Sequence, residues 1–447
     1  VYAEALQALQ RDDEVRVHLR RTLEAGDWSE PAVLRELFVA LWRGKRYADA
    51  ETLLNRARRE PGLRGRFAVE HASAVFYSAL KRTGAKDSIS ERRARRLTRQ
   101  SIEHGRLAAA RAEEAERPGD IESLANLLID QGDPRTAAEM LSRLRTETGP
   151  DNPPPPEAIL LEAKALQLTG RGDDAAALVD SLRKHAGMGF HVYPDMVELY
   201  SETGRLADAA AVYEDALTRF PNALPVRLQL AFLYLRLGEP RKGLAALLSL
   251  QQIPPTGRRL MAHLYSAMDQ DDMALRTLQE AEQAAIAAHD DGFFTVELYL
   301  FGGGLCEDLG KADLAIEYGR KAVALAPDDP AACNFLGYIL ADHNQSLDEA
   351  ERLIRRAVDA EPENDAYLDS LAWVCYRQKR FAEAQDAMNR ALRIGMHDLD
   401  GVILDHAGDI CAALELRELA AWYWRAAVRA KAPGAAAIEA KIRAQSR

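Results

Sequence analysis

One spacing constrains this chain more than any other. Ala175, Ala209 and Gly243 lie 34 residues apart, and Ala350, Ala384 and Ala420 follow at steps of 34 and 36. Around each, a small residue lies about twelve positions earlier, a bulky one four later, and another small or apolar one seven later. A single globular core has no reason to repeat such a framework at a fixed period. A stack of helical hairpins does, because each hairpin buries its apolar face only against its neighbours. The functional question therefore concerns a surface of the stack and its partner, not a catalytic pocket.

Composition agrees with a helical stack. Hydrophobic residues make up 47% of the 447 residues, aromatics only 7%, and Ala and Leu dominate. Alternating β-branched runs are scarce, so the palette is that of closely approaching helices. The formal charge of −11 argues against general nucleic-acid affinity, which needs clustered Lys and Arg. One segment departs from this balance. Between residues 81 and 106, Lys81, Arg82, Lys86, Arg92, Arg93, Arg95, Arg96, Arg99 and Arg106 face Asp87, Glu91 and Glu103. It reads as a solvated segment joining two helices, or as a contact for an anionic partner through Arg92, Arg93, Arg95, Arg96 and Arg99. That partner would be an acidic protein or a membrane surface.

The four cysteines, Cys306, Cys333, Cys375 and Cys411, include no CxxC pair. A disulfide framework is excluded at this density. Cys306, Cys375 and Cys411 each fall three residues after the small residue of their unit, so they read as small core residues. A metal cluster would need them closer than one repeat width. No run of 18 apolar residues is present, so no membrane-spanning helix is expected. No signal peptide is visible either, and because the chain begins at Val1 a removed leader stays open.

Hairpins follow from the framework near 31–63, 118–149, 156–188, 190–223, 224–256, 257–290, 296–329, 330–364, 365–399 and 401–434. Turns at Gly170-Arg171, Gly204-Arg205 and Gly310-Lys311 suit a left-handed helix end. Proline closes units at Pro221, Pro327 and Pro362, with Asn222, Asp328 and Asn364 beyond to cap the next helix. Two places break the ruler. A long-armed hairpin over roughly 66–117 is expected, with the basic stretch as its connection. The run Asp151-Asn152-Pro153-Pro154-Pro155-Pro156 is either a stretched loop, a flex point or a ligand for a proline-recognition module. The division expected from these breaks is 1–150, 151–295 and 296–447. Residues 1–28 and the helix from Ala435 to Arg447, with Ile438 and Ile442 four apart, read as caps of the two open ends.

The strongest motifs lie late in the chain. Asn334-Phe335-Leu336-Gly337-Tyr338 precedes Leu347-Asp348-Glu349-Ala350. Tyr367-Leu368-Asp369-Ser370-Leu371-Ala372-Trp373 precedes Arg380-Phe381-Ala382-Glu383-Ala384. Asp405-His406-Ala407-Gly408-Asp409 precedes Trp422-Tyr423-Trp424. At these residues the chain resembles tetratricopeptide (TPR) repeat proteins over roughly 31–434. Over 330–434 it resembles bacterial members with consecutive NYLGY, LDSLGW and DHLGD segments, with Ala372 in place of Gly and Ala407 in place of Leu. The resemblance implies an all-α right-handed superhelical solenoid of about ten or eleven hairpins, with first helices lining the concave face. It also implies a bacterial envelope setting, often as a lipoprotein.

Enzyme signatures are lacking: there is no HExxH, GxSxG, P-loop or CxxC. The group His397, Asp398, Asp400, Asp405 and His406 offers metal-ligand types, but Asp at a helix start is first a cap. No cofactor is expected. Gly302-Gly303-Gly304 reads as a close helix crossing. Helical periodicity along the first helices gives a stripe of Asn334, Tyr338 and Asp342, then Asp369, Trp373, Tyr376 and Arg377, then Asp405 and Asp409, with Leu300, Phe232, Arg236, Arg259 and His263 upstream. Aromatic anchors among Asn, Asp and Arg suit an extended peptide or a helix. Asp in place of Lys argues against the two-carboxylate clamp of chaperone-tail-binding TPRs, and Trp373 is equally placed to pack between repeats. The expected function is a non-enzymatic protein-binding or peptide-binding scaffold in a bacterial cell-envelope assembly or transport complex, periplasmic, peripheral or lipid-anchored, without nucleic acid. The alternatives are a cytoplasmic adaptor acting through the basic arm and, last, a metal-binding or enzymatic protein.

Overall fold

The computed structural model describes residues 12–26, 30–43, 45–86, 91–115, 118–148, 154–183, 189–395 and 400–445. Among these, α-helices account for nearly all regular structure. They form eleven hairpins between two flanking helices, α1 (Asp12–Ala25) and α24 (Ala435–Gln445). The hairpins are α2 (Pro31–Arg43) with α3 (Tyr47–Ala57), α4 (Phe67–Lys86) with α5 (Glu91–Ala109), α6 (Pro118–Asp130) with α7 (Pro134–Thr148), and α8 (Pro156–Leu168) with α9 (Gly172–Arg183). Then come α10 (Val192–Glu202) with α11 (Leu206–Arg219), α12 (Leu224–Arg236) with α13 (Pro240–Leu248), and α14 (Pro255–Ser266) with α15 (Asp271–Ala287). The last four are α16 (Val296–Asp308) with α17 (Ala312–Leu325), α18 (Pro330–Asp342) with α19 (Leu347–Ala360), α20 (Asp365–Arg377) with α21 (Phe381–Ile394), and α22 (Gly401–Ala413) with α23 (Arg417–Arg429). No described helix is long and apolar enough to cross a membrane.

Among the described residues, the turn inside ten of the eleven hairpins is built alike. A residue with positive φ ends the first helix, and the next amide donates back to a carbonyl five residues earlier. Gly170 (φ 80°), Gly204 (φ 74°) and Gly310 (φ 67°) hold this place as expected. The closing bonds are Arg171 N to Leu166 O at 2.9 Å, Arg205 N to Tyr200 O at 2.9 Å, and Lys311 N to Cys306 O at 2.7 Å. This is the Schellman arrangement that satisfies orphan carbonyls. Asn344, Lys379 and Glu415 occupy the same place in later hairpins at φ 54°, 64° and 61°, where a side chain tolerates a conformation glycine adopts freely. Prolines at the first position of α18, α14 and α13 cost no bond, since that amide has no intrahelical partner.

The ruler residues mark the closest crossings. Ala209, Ala350, Ala384 and Ala420 have no exposed surface. A Cβ on Gly243 would stand 2.8 Å from Leu264 Cδ2 and 3.0 Å from the Ala231 carbonyl, so the framework demands a residue without one there. Gly302 and Gly303 behave as expected: added Cβ atoms would meet Tyr318 at 2.8 Å and Phe335 at 2.4 Å, while Gly304 faces open space. All four cysteines are buried free thiols. Burial pushes the Cys306 thiol up to about 11.

Contacts divide the chain into two compact units, 1–226 and 227–447. Within the first, α7 and α8 pack directly together across the four-proline break. Pro154 and Pro155 lead straight into α8; 151–153 lie outside the described residues. The long arm is present as α4 and α5, of 20 and 19 residues. Its basic residues are not the connection, however. Arg92 to Arg106 lie within α5, because Leu97, Ser101 and Ala108 at helical spacing are buried against the hairpin. Residues 87–90 of the connection lie outside the described residues. The expected caps are observed as α1 and α24, with Ile438 of α24 buried.

Candidate functional site

In the unit 227–447, the first helices α16, α18, α20 and α22 pack on one another in succession. That places them on the inner side of this unit and fixes which side chains meet. Polar pairs recur at about one repeat. His343 lies 3.1 Å from Glu307, 36 residues earlier, and His406 lies 3.0 Å from Asp369, 37 earlier. Lys441 donates to Asp405, 36 earlier, at 2.9 Å. Each first helix of the late hairpins is started by a side-chain cap: Asp329 accepts from Ala332 N at 2.8 Å, Asn364 from Tyr367 N at 3.2 Å, and Asp400 from Val402 N at 2.7 Å.

Trp373 sits at the centre. Its ring stacks on His406 (centroids 3.9 Å, 16°) and on Tyr376 (5.0 Å, 15°). Its indole Nε1 donates to Asp342 Oδ1 at 3.1 Å, and only 7% of the residue is exposed. Of the two roles open to it, Trp373 takes the inter-repeat one. Burying a ring of this size between successive first helices is worth more than presenting it to water, and its one polar atom finds a partner. Trp373 is therefore the floor of the surface, not an exposed anchor. Arg377 lies 5.5 Å above the indole and 3.8 Å from Asp342.

Asp369 is buried too, 5% exposed, with both carboxylate oxygens 3.0 Å from His406 Nδ1. Burial works against the protonated imidazole. The Asp369 charge and hydrogen bond outweigh it and push the His406 pKa up, with smaller help from Asp405 and Asp409. Asp405 and Asp409 do not face an open groove either. Lys441 of α24 donates to both, at 2.9 and 2.8 Å, and Trp424 Nε1 donates to Asp409 at 3.0 Å. Burial pushes the Asp409 carboxyl up. The end cap thus covers the acidic end of the predicted stripe.

Tyr338, Tyr376, Arg377 and Asp342 stay half-buried beside Asn334, as do Asp405 and Asp409 beneath Lys441. Burial, then Asp342 and Asp369, push the Tyr338 hydroxyl above its ordinary range, so it remains a neutral donor. The Asn334 carboxamide oxygen is buried without a hydrogen-bond partner among the described residues, a costly state for an acceptor. Upstream, His263 stacks on Phe301 at 3.9 Å, Arg259 lies 5.6 Å over Phe293, and Phe232 and Arg236 are exposed. Sequence reasoning missed His406 and Lys441 as structural partners. The signal was there: both stand one repeat from an acidic stripe residue.

In the group with metal-ligand side chains, the described members are engaged by other partners. Asp400 caps α22, Asp405 holds Lys441 and His406 holds Asp369; His397 and Asp398 lie outside the described residues. Glu307, Asp342 and His343 do converge, but Asp342 is already engaged by Trp373 and Arg377. In the unit 1–226, the first helices α2, α4 and α6 enclose a cavity of about 520 Å³ walled by Phe38, Phe67 and Val75. Arg35 meets Asp120 there at 3.2 Å and His71 meets Ser123 at 3.3 Å. Burial lowers the His71 pKa.

Models of the tetratricopeptide repeat match residues 201–264, 296–329 and 336–398. A TPR repeat-containing protein of Pseudomonas aeruginosa is 40% identical over 74 residues, 17% of this chain and 12% of the relative. The human protein O-mannosyl-transferase TMTC1 is 27% identical over 191 residues, 42% of this chain and 21% of the relative. This chain therefore spans only a small part of either relative. Among solved structures, the Cut9–Hcn1 hetero-tetramer of the APC/C aligns over all of this chain and 95% of its own, at 16% identity and TM-score 0.44. The repeated hairpins, their shared turns and three separate matches to one repeat family lead to the same place: the chain is a tetratricopeptide repeat protein.

Proposed function

We propose that the chain is a non-enzymatic scaffold whose inner face, at the last hairpins, holds an extended peptide or a helix of a protein partner. One observation carries this reading. Tyr338, Tyr376 and Arg377 stay half-exposed over a floor of Trp373, His406 and Asp369 that is buried and fully engaged. A rigid floor under adaptable rim groups is what a binding surface needs, because little entropy is lost on docking. Tyr and Arg supply contact area and directional donors. Asp369, Asp405 and Asp409 act by holding that floor in place.

The test is capture of the partner by the full chain and by Tyr376→Ala with Arg377→Ala. Both side chains lie at the rim, so helicity should persist while capture falls. Unchanged capture would overturn the reading. For setting, we favour a bacterial cell-envelope assembly, periplasmic and peripheral or lipid-anchored, supported by the motif series at 330–434 and by the bacterial relative. Fractionation of native cells decides it: recovery in the periplasmic or membrane fraction is expected. Recovery in the cytoplasm would favour an adaptor working through the basic arm.

A further inference from the structure

The arm α4/α5 is the element that repeat stacking explains least. Its helices of 20 and 19 residues outreach the 13 and 15 residues of α6 and α7 beside them. One face of α5 is accounted for. Leu97, Ser101 and Ala108 are buried, Ser101 Oγ donates to the Ala74 carbonyl at 2.9 Å, and Gly105 lies so close to Leu128 that a Cβ would stand 2.8 Å from it. The other face is not covered by the described residues. It lines an open groove of about 880 Å³ with Lys81, Arg95, Thr98, Arg99, Ile102 and Leu107, and with one carboxylate, Glu103, beside Arg106. Leu107 is 48% exposed and Ile102 half-buried.

The charge on α5 runs against its own stability. Six arginines and only two glutamates lie in its 19 residues. Arg92, Arg93, Arg95 and Arg96 stand in the first two turns, at the end of the helix that favours anions. Arg92 with Arg96, and Arg95 with Arg99, are like-charged pairs four apart, each unfavourable. Arg92, Arg96 and Arg99 are exposed and meet no carboxylate within ion-pair distance among the described residues. Arg106, at the far end, is satisfied by Asp133 at 2.6 Å. A chain with a net charge of −11 thus concentrates positive charge along one apolar-floored groove.

We propose that this groove docks an acidic amphipathic helix of a protein partner. From Ala94 to Leu107 the groove follows α5 for about 20 Å, the length of roughly thirteen helical residues. Ile102, Leu107 and the Thr98 methyl would take the partner's apolar stripe. Lys81, Arg95 and Arg99 would take carboxylates spaced three and four apart beside it. Such a partner offsets the repulsion between Arg95 and Arg99. A flat lipid surface would meet the rims and leave the floor uncovered, and a polyanionic nucleic acid offers nothing for Ile102 and Leu107.

The test uses the full chain and a labelled synthetic peptide of about fifteen residues, an amphipathic helix with Leu on one face and Glu on the other. Fluorescence anisotropy is read against a scrambled peptide of the same composition, single-stranded DNA, and vesicles of anionic phospholipid. The amphipathic peptide is expected to bind at least roughly tenfold tighter than the scrambled one. Arg95→Glu with Arg99→Glu should remove that binding, and the milder Arg95→Gln with Arg99→Gln should weaken it with the far-ultraviolet spectrum unchanged. Leu107→Lys should weaken it while sparing any charge-only association. No binding, equal binding of the scrambled peptide, or binding confined to DNA or vesicles would overturn the proposal.

Discussion

Replacing Asp369 with Asn removes a charge from the floor of the inner face while nearly keeping its shape. In the native chain His406 is buried against that carboxylate, and its pKa is raised. A raised histidine contributes stability that is complete below its unfolded value of about 6.5 and is lost as pH rises through the native value. In Asp369→Asn only the smaller pull of Asp405 and Asp409 opposes the same burial, so the His406 pKa should drop below the unfolded value. The slope then reverses, and the variant should gain local stability as pH rises. At about pH 5.5 the cost should be about 3 kcal/mol, typical of breaking a buried pair. This corresponds to roughly a hundredfold in local opening. At a pH above the native His406 value, where the imidazole is neutral in both proteins, the cost should shrink to about 1 kcal/mol, one neutral hydrogen bond. Hydrogen exchange of peptides from α20 and α22, corrected for intrinsic rates, reads this directly, because a repeat array opens locally and not as one unit. Parallel pH profiles in the two proteins would refute the reasoning.

Three further outcomes follow from geometry. Gly408→Ala would place a Cβ 2.3 Å from Trp424 Cδ1 and should cost about 1–3 kcal/mol as overpacking, seen as faster exchange in α22 and α23. Ala372 holds the equivalent place one hairpin earlier, where the residue matching Trp424 by repeat spacing is the adaptable Met388. Lys379→Gly should stabilise the α20–α21 turn by about 1 kcal/mol, since Lys379 holds φ 64°, and thermal unfolding would show it. Burial would raise the Glu351 carboxyl, but bonds from Arg380, Arg355 and Gln378 bring it down to about 2. Its contribution is therefore present above its ordinary value near 4.5 and lost as pH falls toward 2; Arg380→Ala should move acid unfolding of α19–α21 to higher pH.

Architecture was legible because repetition amplifies weak signals. Ala209, Ala350, Ala384 and Ala420 each say little alone, yet their spacing locates a fully buried crossing in every case. The turn was legible only where glycine marks it. Asn344, Lys379 and Glu415 adopt the same backbone without that mark. The site was half legible. Periodicity found the right helices and the right stripe, but not which of its residues water still reaches. Trp373, Asp369, Asp405 and Asp409 belong to that stripe and are taken up by His406, Asp342, Trp424 and Lys441. A single-helix pattern cannot show this, because the partners come from other helices. The arginines of α5 were misplaced into a connection because charge density there masks the Leu97, Ser101, Ala108 spacing that makes the segment helical.

The central claim is that partners are held on the inner face of the late hairpins. It is tested most directly by placing a photo-crosslinking amino acid at Tyr338, at Tyr376 and, on the opposite side of the last hairpin, at Trp422, which is 53% exposed. The account predicts that the first two positions crosslink to the same segment of one protein partner, that Trp422 does not, and that Arg377→Ala removes the crosslinks. Crosslinking confined to Trp422, or equal at all three positions, would contradict it.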